Sequence, residues 1–100
     1  MKLIYVTLNN KEEARKIGRD LLEKHLANCV NFFPITCIYN YDNKITEEPE
    51  VVLIIKTLEG KYKDIEKLIK QNITYDNFIG EIAVDNINSS FKKWLHKVVK

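Results

Sequence analysis

The order of elements in this sequence predicts an α+β domain, one antiparallel sheet with helices on one face. Three observations carry that expectation. Four stretches are rich in β-branched and aromatic residues, as strands are. Three others repeat apolar residues every three or four positions, as helices do. Two of the strand stretches are unusually long and meet at Asp42-Asn43, a pair that tolerates the left-handed backbone of a tight hairpin turn.

Each element follows in turn. "KLIYVTL", 2–8, is a strand. Asn10 with Glu13 three residues later approximates a capping box, and Ala14, Ile17, Leu21, Leu22 and Leu26 make 10–27 an amphipathic helix. "NCVNFFPITCIYNY", 28–41, is extended, and Pro34 within it is expected at most to bulge the strand. "KITEEPEVVLIIKT" returns over 44–57 with its apolar centre at Val51–Ile55. Tyr62, Ile65, Leu68 and Ile69 set against Lys, Asp and Glu predict a helix over 60–72. "GEIAVDNI", 80–87, is a fourth strand. Asn88-Ser89-Ser90 suit the start of a last helix, whose Phe91, Trp94, Leu95 and Val98 line one face. The order is βαββαβ with a C-terminal helix, a ferredoxin-like plan in a single domain over 1–100.

The hairpin is too long for that plan alone. Residues 28 to 41 number fourteen, and at ~3.3 Å each they span roughly 45 Å. A compact domain of this length is only about 34 Å across. Part of the hairpin must project, and a lone two-stranded arm is marginal in water. Its apolar residues and free edges call for another copy of the chain, so oligomerisation is expected from length alone.

Composition narrows the function. A hydrophobic fraction of 45% and a charged fraction of 30% are those of a soluble globular protein. A net charge of +2 demands no nucleic acid. No apolar run is long enough to span a bilayer and no leader pattern follows Met1, so a cytoplasmic protein with free thiols at Cys29 and Cys37 is expected, with no membrane partner. An RNA-recognition motif shares the element order, with Tyr5 as its stacking residue. It also needs aromatics on the third strand, where "EVVLIIKT" has none. An acylphosphatase-type enzyme needs an anion-cradling turn after the first strand, and "TLNNKEE" has neither glycine nor arginine there.

"LANCVN", "CIYNYDNKITEEPEVVLIIKT", Tyr75 with "GEIAV", and "FKKWL" together resemble the CutA family of divalent-cation tolerance proteins, over nearly the whole chain. The resemblance implies a tight homotrimer whose long strands pair across subunits, with Tyr39, Tyr41 and Trp94 at the interface. It implies a non-enzymatic role in the response to metal ions. It also gathers Cys29, Asn31, Lys56, Tyr75 and Glu81 near a cleft between subunits, where a lysine and a glutamate either hold a small ion or anion or pair with each other. The rival reading is a trimeric small-molecule or anion sensor with the architecture of PII signalling proteins.

Several positions depart from the family pattern. The second alanine of the usual LAACVN is Asn28, the hairpin tryptophan is Tyr41, and the turn glycine is Asn43. A histidine and a first-strand cysteine linked to copper in some members are Ile73 and Val6 here, and neither side chain binds copper. Cys29 and Cys37 lie eight residues apart, about 26 Å along a straight strand, so they cannot grip one ion within a subunit. Both are expected to be structural. Cys29 is the one weak candidate ligand, through its symmetry copies. His25 ends the first helix, where it can meet helix carbonyls. His96 lies among Lys92, Lys93, Lys97 and Lys100, a cationic face that discourages metal. The expectation is no fixed cofactor and at most weak divalent-metal binding, copper included. No acid, base and nucleophile stand in chemical order, so no enzyme is expected.

Overall fold

A computed structural model describes all residues from Met1 to Lys100. The strands are β1 (Lys2–Leu8), β2 (Cys29–Tyr41), β3 (Lys44–Thr57) and β4 (Ile79–Ala83). The helices are α1 (Lys11–Glu23), α2 (Tyr62–Asn72) and α3 (Ser89–Val98). One antiparallel sheet runs in the order β2-β3-β1-β4. This is the expected ferredoxin-like plan with a long β2–β3 hairpin and a terminal helix.

Alternation along the strands explains the core. Ile4, Val6 and Leu8 of β1 and Val51, Leu53 and Ile55 of β3 turn to one face. There they meet Ala14, Ile17 and Leu21 of α1 and Ile65, Leu68 and Ile69 of α2. Gly18 lets α1 sit close to β2. A methyl group at that position would stand 2.8 Å from Cγ2 of Val30, which is too near for a β-branched side chain to yield. Leu95 and Val99 bury the inner side of α3, while Trp94 stays half exposed against the edge of Phe91.

The helix ends differ from expectation in a physical way. The side chain of Asn10 accepts from the Glu13 amide at 2.9 Å, and Glu13 reaches back to the Asn9 amide at 3.0 Å, so the reciprocal cap forms one residue early. α1 stops at Glu23, not at residue 27. His25 adopts φ 58°, its amide bonds to the Leu22 carbonyl, and the Leu26 amide reaches Leu21, a Schellman closure with histidine in the usual glycine place. β4 ends at Ala83 rather than at residue 87. Its last bond runs from the Val84 amide to the Met1 carbonyl, at the very start of β1.

The hairpin closes through Asp42 (φ 53°) and Asn43 (φ 63°), both left-handed as a two-residue type I′ turn requires. Pairing is continuous from Cys29↔Lys56 to Tyr41↔Lys44, so Pro34 makes no bulge. Pro34 pairs with Val51 and Pro49 with Thr36, two steps apart and therefore in pairs of the same kind. Having no N–H, both suit only the kind whose N–H points away from the partner strand. β1 leaves β3 at Val51, so the seven pairs from Ile35↔Glu50 to Tyr41↔Lys44 form an arm with nothing on either side. The molecule is 47 Å long and 27 Å wide for that reason.

One departure from the resembled pattern has a measurable consequence. Asn28 is only 6% exposed, and neither Nδ2 nor Oδ1 of its side chain has a hydrogen-bond partner. Leaving both groups dry and unpaired costs about 1–3 kcal/mol. Asn28→Ala removes the cost while opening little space, so it is expected to raise stability by about 1 kcal/mol. Urea unfolding of the two proteins at one concentration reads this directly; a less stable variant means that Asn28 has a partner in the assembled protein.

Candidate functional site

The ladder decides which candidate side chains share a surface. Cys29 pairs with Lys56, Lys56 with Leu3, and Leu3 with Ile82, so all four lie on the face that carries neither α1 nor α2. Asn31 lies two residues on, exposed on the same face. The Lys56 ammonium stands 5.6 Å from the ring centre of Phe91, within cation–π range. Beside them runs a groove of about 400 Å³ whose apolar walls include Met1, Leu3, Ile87 and Phe91.

Glu81 belongs elsewhere. It pairs with Ile4, so it sits on the helix side of the sheet. There its charge, behind that of Glu66, helps to keep the Tyr62 hydroxyl protonated above its ordinary range. The Tyr62 hydroxyl lies 2.8 Å from the Glu66 carboxylate and 3.1 Å from the Ile79 carbonyl. Tyr75 lies at the opposite end of the sheet. Its hydroxyl donates to Glu13 at 2.6 Å and accepts from the Asn9 amide at 3.0 Å. From Leu3 to Asn9 is six residues of strand, roughly 20 Å. Within one chain the five pocket candidates therefore divide into three places: Cys29, Asn31 and Lys56 together, Glu81 behind the sheet, and Tyr75 at the far end.

Tyr75 opens onto a second cleft, about 460 Å³, at the foot of the arm. Tyr39, Tyr41, Glu48 and Glu50 come from the arm, and Tyr75 and Asp76 from the loop after α2. The loop is held by two backbone ties to β1. The Asn77 amide group donates to the Thr7 carbonyl at 2.8 Å, and the Thr7 amide donates to the Phe78 carbonyl at 3.1 Å. The neighbouring Glu48 carboxylate raises the Tyr39 hydroxyl above its ordinary range, while partial burial and then Glu50 keep the Cys37 thiol protonated. Both cysteines are free and half-buried. Sequence reasoning missed Glu48, Glu50 and Asp76. The first two were within reach, because the hairpin register places Glu48 opposite Cys37, on the face of Tyr39 and Tyr41.

Metal chemistry finds little purchase in one chain. Val6 is fully buried in the core and Ile73 packs against it, so the two positions that the resemblance associates with copper are apolar wall. No three His, Cys, Asp or Glu side chains of the chain come close enough to share an ion. The residues present do not fit that copper site.

Sheet order, a projecting hairpin and a capping C-terminal helix define a ferredoxin-like fold with a long β2–β3 arm. The family model described as CutA1 divalent ion tolerance protein matches residues 2–98, and the chain belongs to that family. The divalent-cation tolerance protein CutA of Thermococcus kodakarensis is 35% identical over 98 residues, 97% of this chain and 94% of that protein. Its counterpart from Thermotoga maritima is 35% identical over 100 residues, 99% of both. The structure of the periplasmic divalent cation tolerance protein CutA from Archaeoglobus fulgidus superposes with a TM-score of 0.95 at 33% identity, covering 100% of each chain. No helix of this chain is long and apolar enough to cross a membrane.

The tyrosines give a test of the cleft's geometry. Burial, and then the bond to Glu13, push the Tyr75 hydroxyl far above the ordinary tyrosine range. A raised folded-state pKa means stability that is complete below the unfolded value of about 10 and is lost as pH climbs above it. In an absorbance titration, Tyr75 is expected to ionise only as the protein unfolds in alkali. Tyr75→Phe should remove one late-titrating group of the five tyrosines and soften the alkaline loss of stability. An unchanged count of late-titrating groups would refute the placement.

Proposed function

We propose that the chain acts as a homotrimer in cellular tolerance of divalent cations, without catalysing a reaction. The observation that carries the assembly is the arm. Its seven unflanked pairs bear Ile38, Tyr41 and Ile45 at 65%, 67% and 81% exposure, on both faces of a ribbon with two open edges. Apolar surface of that kind on a marginal ribbon is stable only when covered, and copies of the same arm offer matching edges. A closed ring of three covers each arm in the same way. Tyr39 belongs to the same arm, whereas Trp94, half exposed beside Phe91, lies at the other end of the sheet near Lys56. The relatives' names support the role in cation tolerance. We place the protein in the cytoplasm, on the strength of its two free cysteines.

A trimer also bears on the divided candidates, since Cys29, Asn31 and Lys56 of one copy face outward toward whatever lies over the sheet. The rival reading, a sensor of small molecules, rests on the two clefts. Between them, the groove at Lys56 is the one suited to an anion.

Light scattering on the purified protein is expected to give three times the 11.8 kDa chain mass at micromolar concentration. Ile45→Asp should shift that mass toward the single chain, because an uncompensated carboxylate at a covered apolar site costs several kcal/mol. A stable, well-folded monomer of the unaltered protein would end the proposal. Direct chelation is a separate matter. Calorimetric titration with Cu(II), and with Cu(I) under reductant, should show weak, non-stoichiometric binding, since tight copper sites need two or three converging soft or imidazole ligands. One submicromolar ion per chain or per trimer, lost in Cys29→Ser, would show that three copies of Cys29 converge on an axis.

A further inference from the structure

We propose that the outer face of α3 is a docking surface for an acidic segment of another protein, held by its lysine ammonium groups. The proposal goes beyond the role above and rests on residues of one chain. Lys92, Lys93, His96, Lys97 and Lys100 are all exposed. At about 3.6 residues per turn, the four within the helix spread over roughly 140° of its circumference, an arc that excludes the buried Leu95. Trp94 also lies outside the arc, with Lys92 and His96 roughly 160° round the helix from it. An interface that covers Trp94 therefore leaves those side chains clear. The end of the helix is tied down, since the Lys100 amide donates to the His25 carbonyl at 3.0 Å and Lys61 Nζ donates to the Lys100 carbonyl. Those ties bring Lys24, His25 and Lys61 to the same end, so the cationic surface continues past the helix.

The other helices show that this face is not an ordinary solvated one. α1 sets Glu12, Glu13, Asp20 and Glu23 among its cations, and α2 sets Asp64 and Glu66 among its own. α3 has no acid, and none follows Asp85 in the chain. Lys93 and Lys97 stand one turn apart and repel, and Lys92 lies in the first turn, where the helix dipole disfavours a cation. An acid at either place would stabilise the helix, so the fold forgoes that gain to keep one sign of charge. Charge and shape then choose the partner. Four of the 16 Lys and Arg lie on this face, which leaves 12 against 14 Asp and Glu on the rest of the chain. A nucleic-acid duplex reaching past α3 thus meets net repulsion. The face also lacks arginine, the side chain suited to bidentate phosphate contacts. A membrane is disfavoured because the apolar side of α3, Leu95 and Val99, is buried in its own domain and cannot enter lipid. A short run of carboxylates touching only the helix meets none of these obstacles. Lys93 and Lys97 rise about 6 Å along the axis, near the roughly 6.6 Å between alternate side chains of an extended strand.

The test titrates the whole protein, in its native assembly and at low ionic strength, with a short blocked peptide of alternating glutamate and serine. A glutamine–serine peptide, a mixed-sequence DNA duplex and phosphatidylglycerol vesicles are run beside it. Amide chemical shifts report the site, and cosedimentation reports the vesicles. The acidic peptide is expected to saturate below about 1 mM, one per chain, with shifts confined to α3 and to Lys24, His25 and Lys61. The glutamine peptide should not bind, and added salt should weaken the acidic one several-fold. Lys93→Glu with Lys97→Glu should weaken it at least about tenfold. Lys11→Glu with Lys70→Glu, an equal change of net charge at the start of α1 and the end of α2, should weaken it less than about threefold. Lys93→Glu alone places an acid four residues before Lys97. It should melt no lower than the unaltered protein, yet bind at least about threefold more weakly. Equal losses in the two double variants overturn the proposal, as does equal affinity for the glutamine peptide. No saturation by about 1 mM does the same. Binding of the duplex or the vesicles as tight as that of the peptide, or tighter, overturns it too and gives the face to that partner. Light scattering on the same samples keeps the two proposals apart: a trimer that binds no acidic peptide sinks this one alone, and a monomer that binds it sinks the trimer alone.

Discussion

Every position in the molecule is set by the unbroken ladder between β2 and β3. Thirteen consecutive pairs run without a bulge from Cys29↔Lys56 to Tyr41↔Lys44. Because side chains alternate strictly, a slip of one residue would exchange the two faces along the whole hairpin. Val51, Leu53 and Ile55 would leave the core, and Glu48 and Glu50 would leave the cleft. The pinned turn at Asp42-Asn43 and the packing of Gly18 against Val30 hold the register at opposite ends.

The fold was legible because it rests on periodicity and turn chemistry, both local. β1, the hairpin turn, β2 and β3 fall within a residue of their expected bounds. The helix end at Glu23 was not legible, since histidine in a left-handed closing position looks like one more polar helix residue. The length of β4 depended on where β1 starts, which is a fact about pairing and not about "GEIAVDNI" itself. Pro34 was expected at most to bulge the strand. It does not, because β2 is an edge and its proline faces outward.

Sites were harder to read than strands. Cys29 and Lys56 come together because they are ladder partners, whereas Glu81 sits behind the sheet for the same reason. The cleft at the foot of the arm joins residues more than thirty positions apart, and no spacing in the sequence announces it. Asn28 adds a different lesson. An amide placed where the resembled family pattern has alanine stays buried with both polar atoms unmatched, an expense carried by the rest of the core.

The two prolines also decide how the arm meets other strands. On the β2 edge, the outward amides alternate along the even-numbered residues, and Pro34 deletes one in the middle. On the far edge of the arm, Pro49 deletes the one nearest β1, leaving the outward amides of Ile45 and Glu47. An incoming strand thus finds three successive donors only along the distal half of β2, at Thr36, Ile38 and Asn40. The ribbon is sticky on one side and blunt on the other. Growth that used both edges without limit would build an endless cross-β stack, and a donor missing from each edge works against it.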